Sequence, residues 1–178
     1  GSPISPYAVT KLVNELYANV FGKLYGMEFI GLRYFNIFGP KQDPRGAYAA
    51  VIPLFVKAAM EGKTPTINGD GSFSRDFTYV QNAVHANLLA LFTKNENALN
   101  QIFNVACGEQ TTLNELWEKI QEGVGINLPA KYGPERTGDV AHSLANITKA
   151  KNKLEYKVLV DFEEGIKKTI EYFNSLKI

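Results

Sequence analysis

SPYAVTKLVNELYANVFGKLYGMEFIGLRYFNIFGP, residues 5–40, is the stretch on which the reading of the fold turns. Ser5 is placed to cap a helix, and Pro6 suits the first helical position. Apolar residues then recur at Val9, Leu12, Val13, Leu16, Tyr17, Val20, Phe21 and Leu24. That is the period of a helix with one buried stripe. Gly26 ends it. The following run is short, rich in β-formers and apolar on successive positions around Phe29 to Leu32. It reads as a buried strand that enters a loop at Asn36 to Pro40. A helix followed by a fully buried strand is half of a βαβ unit, so the expectation is a mixed α/β fold.

Downstream, a polar loop (residues 40–48) leads into a helix around residues 49–63, with Pro53 near its first turn. Residues 64–80 read as two short strands about an Asn-Gly-Asp-Gly turn. Asn82 is placed to cap the helix that follows it. QIFNVAC (residues 101–107) is a second buried strand, closed by Gly108. Thr112 and Glu115 form a capping box for a helix carrying Leu113, Leu116, Trp117 and Ile120. LPAKYGP (residues 128–134) suits a short strand and ERTGDVAHS (residues 135–143) a polar loop. Asp161 caps a last helix with an apolar face of Phe162, Ile166, Ile170 and Phe173. No repeat, low-complexity linker or clean domain boundary interrupts the order, so residues 1–178 read as one unit.

Composition narrows the function. The 178 residues are 45% hydrophobic and 21% charged, the proportions of an ordinary globular domain. A net charge of +1 gives no basic field for nucleic acid and no block of charge for a membrane surface. Any anion must therefore be held by individual basic side chains. One cysteine, Cys107, excludes an internal disulfide and fits a reducing compartment. With no signal peptide and no apolar run of membrane length, the expectation is a cytoplasmic location. Two histidines, His85 and His142, and one cysteine make no zinc set.

Tyr7 and Lys11 lie four apart at the start of the first helix and share a face. A phenol is a poor base at neutral pH, but a neighbouring ammonium and the positive end of a helix dipole both favour phenolate. Such a pair can exchange a proton with a sugar or alcohol hydroxyl. On spacing alone, a packed tyrosine beside a solvated lysine is the commoner reading. By the same standard Arg75 would more often be a surface ion-pair partner, for instance of Asp76.

Four segments in order shift that balance: SPYAVTK (5–11), GLRYFNIFGP (31–40), INGDGSFSRDFTYV (67–80) and RTGD (136–139). Together they resemble the extended short-chain dehydrogenase/reductases, and within them the nucleotide-sugar epimerases, UDP-N-acetylglucosamine 4-epimerases above all. The resemblance runs from Pro3 to Leu176. It implies an α/β fold: late strands and helices of a Rossmann-type sheet plus a smaller substrate-binding lobe. It implies NAD as cofactor, a UDP-sugar as substrate and a homodimeric parent. Tyr7 then matches the residue that exchanges a proton with the sugar 4-hydroxyl, and Lys11 the residue that holds the nicotinamide ribose. Phe35 matches a position beside the nicotinamide and Asn36 one at the substrate diphosphate. Ala50, Val51 and Phe55 match the wall near the uracil, and Asn68 and Arg75 contacts to the nucleotide. Arg136 matches a diphosphate ligand and Asp139 a ribose ligand. Ser143 matches a position near sugar carbon 2, where a small residue leaves room for an N-acetyl group.

Chemistry supports the anion-binding roles separately, since guanidinium groups hold diphosphate oxygens in a fork and a carboxylate suits a ribose diol. The family's Gly-rich dinucleotide turn is absent from these residues, because Gly69 and Gly71 belong to a turn that opens no helix. The expectation is therefore the C-terminal portion of an epimerase, without turnover of its own and with a sheet edge open to self-association. Another enzyme of the same family, a dehydratase or decarboxylase, and a non-catalytic nucleotide-sugar-binding domain are the alternatives.

Overall fold

Ser5 sets the start of the first helix: its Oγ accepts the Ala8 N–H at 3.1 Å, and Pro6 opens α1 (Pro6–Tyr25). Gly26 closes α1 in the left-handed conformation (φ 64°), where a residue without Cβ is unstrained. The computed structural model describes residues 2–44, 50–135 and 139–176. Contrary to the expected buried stripe, none of α1 is buried, and Val9, Leu16, Val20 and Leu24 are exposed. The side of α1 turned to its neighbour carries Ala8, Leu12, Glu15, Ala18 and Gly22. There Glu15 accepts from Arg33 Nε (2.5 Å) and Nη2 (2.6 Å), a two-pronged pair that fastens the helix to the first strand.

That strand, β1 (Ile30–Tyr34), pairs in parallel with β6 (Gln101–Val105), from Ile30 opposite Gln101 to Tyr34 opposite Val105. Gly31 lies against Ile102, where a Cβ would come within 3.1 Å of the isoleucine side chain. On its other side β1 has no strand among the described residues. The outer side of β6 is occupied differently: Lys149 Nζ reaches the Ile102 carbonyl at 3.0 Å and its ammonium lies 5.1 Å from the Phe103 ring centre.

Asn36 takes a positive φ (38°) at the end of β1, a conformation that asparagine tolerates better than most residues. The chain turns there into β2 (Ile37–Phe38), which pairs in parallel with β5 (Thr78–Tyr79). Two cores form on either side of this junction. One gathers Ala86, Phe103, Val105, Leu154 and Tyr156 where β6 meets α3 (Val80–Phe92) and α5 (Thr148–Leu154). The other gathers Phe38, Phe55, Trp117, Ile166 and Phe173 between α2 (Val51–Met60), α4 (Leu113–Val124) and α6 (Phe162–Ser175). The expected faces of α4 and α6 are the buried ones, the capping box of Thr112 and Glu115 is formed, and Asp161 Oδ1 accepts the Glu164 N–H.

The hairpin expected over residues 64–80 does not form. β3 (Thr66–Asn68) pairs in parallel with β8 (Lys131–Gly133), while β4 (Ser74–Arg75) pairs antiparallel with β7 (Thr111–Thr112). The Asn-Gly-Asp-Gly turn thus joins two different sheets. Asn82 does not cap α3, which begins at Val80. Fully buried inside the helix, Asn82 accepts from Leu159 N (2.8 Å) and Val160 N (3.1 Å) and donates to Val160 O (2.6 Å). A buried amide must find partners, and these come from 77 residues away.

Candidate functional site

The expected site residues separate into two concavities that meet at the kink after β1. The first is an open cleft of about 870 Å3 between α1 and β1, lined by Tyr7, Lys11, Glu15, Arg33, Tyr34 and Phe35 among others. Tyr7 is 71% exposed, so its hydroxyl is available to a ligand. Lys11 Nζ lies 5.1 Å from the centre of the Tyr7 ring, as the four-residue spacing requires.

The second is a narrower cavity of about 280 Å3 whose lining includes Asn36, Ala50, Val51, Phe55, Asn68, Arg75 and Asp139. These seven residues come from five separate chain segments. Ile37, Phe38, Phe77 and Leu113 complete an apolar wall that the sequence reading did not single out. Phe35 and Asn36 are consecutive, yet one lines the cleft and the other the cavity. Of the remaining expected residues, Arg136 lies outside the described residues. Ser143 is half-buried and lines neither concavity; its N–H donates to Ser74 O at 3.1 Å, which fastens residues 141–143 alongside β4.

Arg75 is held rather than loose. Its Nη1 donates to Ser74 O (2.8 Å) and Ala141 O (3.2 Å), leaving Nε and Nη2 with no hydrogen bond among the described residues. The surface pair of Arg75 with Asp76 weighed from the sequence does not occur. Asp76 is fully buried, and its carboxylate accepts three backbone N–H groups: Cys107 at 2.9 Å, Gly108 at 3.0 Å and Ala145 at 3.2 Å. Burial pushes the Asp76 carboxyl above the usual aspartate range, and those three donors pull against that rise. The Asp76 carbonyl in turn accepts from Asn36 Nδ2 at 3.1 Å. A signal for this existed in the sequence: Asp76 is a single acid inside the aromatic run of Phe73, Phe77 and Tyr79.

Cys107 has no reactive character, since burial and the nearby Asp76 carboxylate push its thiol up to about 12. No cluster of His, Cys, Asp and Glu suited to a metal occurs among the described residues, and no helix among them is long and apolar enough to cross a membrane.

A helix bearing Tyr and Lys four apart, docked on a parallel strand pair beside a cavity that gathers cationic, acidic and apolar side chains, is an extended short-chain dehydrogenase/reductase arrangement. Residues 2–106 match the NAD dependent epimerase/dehydratase family, and the chain belongs to that family. It is 38% identical to a putative UDP-glucose 4-epimerase of Methanocaldococcus jannaschii over 174 residues, 98% of this chain and 55% of the relative. Among solved structures, UDP-glucose 4-epimerase of Thermotoga maritima with UDP-glucose superposes with a TM-score of 0.94 at 40% identity, covering 99% of this chain and 56% of that one. UDP-N-acetylglucosamine 4-epimerase of Methanobrevibacter ruminantium, in complex with UDP-N-acetylmuramic acid, gives 0.91 at 43% identity, covering 98% and 55%. The chain thus spans about half the length of the relatives it matches.

Proposed function

We propose that this chain carries the UDP-sugar site and the proton-transfer pair of an NAD-dependent UDP-N-acetylhexosamine 4-epimerase. One observation carries the reading: a single small cavity collects Asn36, Arg75 and Asp139 against a wall of Ala50, Val51 and Phe55. The wall suits a flat base, the Arg75 fork a diphosphate, and the Asp139 carboxylate a ribose diol. Asn68 lines the same cavity and completes its polar side. Arg136 is assigned the second guanidinium at the diphosphate, three residues before Asp139.

Tyr7 is assigned the exchange of a proton with the sugar 4-hydroxyl, with Lys11 beside its ring in the same cleft. The residues present fit the nicotinamide end of NAD, since Tyr7, Lys11 and Phe35 line one open cleft. When bound, NAD supplies the hydride acceptor for a 4-epimerisation. Its own diphosphate calls for a Gly-rich turn that these 178 residues do not contain. The chain by itself is therefore expected to bind the nucleotide and to show no turnover. The preference for an N-acetylated sugar rests on the 43% identity to a UDP-N-acetylglucosamine 4-epimerase, and Ser143, which lines neither concavity, adds no support to it.

Calorimetric titration tests this directly: UDP should bind, and UDP-N-acetylglucosamine should bind better than UDP-glucose. No heat with UDP would reject the nucleotide site, and a clear preference for UDP-glucose would reject the N-acetyl assignment. Conversion of UDP-N-acetylglucosamine by the chain with added NAD would reject the expectation that it has no turnover.

A further inference from the structure

We propose that Asp76 is the positioning residue of the nucleotide cavity, holding the segments that carry Asn36, Arg75 and Asp139 in one arrangement. The proposal rests on the nucleotide reading of that cavity and adds a residue that lines none of it. Three polar lining residues stand on three chain segments. Asn36 follows β1, Arg75 ends β4, and Asp139 precedes residues 141–143 beside β4. Asp76 is joined to all three. It follows Arg75 in the chain, its carbonyl accepts from Asn36 Nδ2, and its Oδ2 accepts from Ala145 N. Its two oxygens also fix the end of β6 through Cys107 N and Gly108 N.

This arrangement uses both carboxylate oxygens in a way a carboxamide cannot reproduce. In Asp76→Asn one of the two oxygen positions becomes an NH2 group, which faces either the Cys107 N–H or the Gly108 and Ala145 N–H pair. At least one buried N–H then loses its acceptor, which is a larger loss than a hydrogen bond exchanged with water. Relief requires the end of β6 at Cys107 or the segment leading to Ala145 to withdraw; the second continues from Asp139 and from Ala141, whose carbonyl holds Arg75 Nη1, and the first adjoins the same buried carboxylate. A residue touching no ligand thereby sets the spacing between the guanidinium and the carboxylate that grip it.

The test combines UDP titration with amide hydrogen exchange on the 178-residue chain. In the native protein, UDP should slow exchange at Cys107, Gly108 and Ala145, none of which lines the cavity. Asp76→Asn should bind UDP at least about tenfold more weakly and speed exchange at one or more of Cys107, Gly108 and Ala145. Asp76→Glu should not restore affinity, because its extra methylene displaces the carboxylate. Arg75→Ala is the contrast: it should lose UDP affinity while those amides keep their protection in the absence of ligand. If the native chain binds UDP without added protection at these amides, or Asp76→Asn binds UDP like the native chain, the positioning role is overturned. The first of those results needs no variant to fold. If the native chain does not bind UDP at all, the nucleotide reading fails instead.

Discussion

Arg75→Ala is the perturbation whose outcome depends most directly on the geometry of the cavity. Nη1 is committed to Ser74 O and Ala141 O, so the guanidinium is oriented before any ligand arrives. Nε and Nη2 remain for phosphate oxygens. Each charge-assisted hydrogen bond of this kind contributes about 1.5–3 kcal/mol. Arg75 is half-buried, which places two such contacts at the lower end, about 2–3 kcal/mol together once solvent screening is counted. At 1.4 kcal/mol per tenfold, that is a loss of about 30- to 140-fold in UDP affinity. Titration with UDP, UMP and uridine in parallel locates the loss. It should be largest for UDP and absent for uridine, because the wall of Ala50, Val51 and Phe55 is untouched. Arg75→Lys should recover little, since an ammonium lacks the fork that meets two carbonyls and a phosphate together. A UDP affinity within twofold of the native value, or an equal loss with uridine, would refute the assignment of Arg75 to the diphosphate.

Three further outcomes follow from the packing and the charges. A Cβ at Gly165 would lie 2.8 Å from the Phe38 ring and 3.0 Å from Tyr79 Cβ, so Gly165→Ala should cost about 1–3 kcal/mol in urea unfolding; unchanged stability would show that α6 has room to shift. Arg33 lowers the pKa of Glu15 through their hydrogen bonds, so the pair stabilises above the usual glutamate range and its contribution is lost as pH falls through the lower folded value. The stability difference between native and Glu15→Gln, at most about 1 kcal/mol for so exposed a pair, should therefore hold near neutrality and vanish in acid; thermal melts at several pH values read it, and a difference persisting in strong acid would contradict the ion-pair origin. Cys107, with its thiol pushed up to about 12, should resist thiol reagents at pH 8 until the chain unfolds, and rapid native-state labelling would show that its burial is incomplete.

Local signals translated into structure where they were strong. The Ser5 cap, the Gly26 stop, the Thr112–Glu115 box and the inward faces of α4 and α6 were all legible, because each depends on residues within one or two turns. The pairing of short strands was not. Nothing within residues 64–80 reveals that β3 seeks β8 and β4 seeks β7, partners that stand about 40–65 positions away. Asn82 was misread for the same reason: it is a helix-capping type by local rule, but its partners at 159 and 160 lie far along the chain. The apolar stripe of α1 was correctly located, but periodicity gives the existence of a face and not what covers it: Leu16, Val20 and Leu24 suit a dimer contact or a core equally by sequence, and in this chain they are exposed. For the site, the family motifs named seven residues that the fold does bring to one cavity. Asp76 escaped because a charged residue is usually read as a surface one, and its burial is decided by backbone groups at 107, 108 and 145.

The two long edges of the β1–β6 ribbon are unequal. Lys149 occupies the Ile102 carbonyl on the far rim of β6, whereas no strand among the described residues pairs with the other rim, that of β1. A strand added to β6 would have to displace that ammonium.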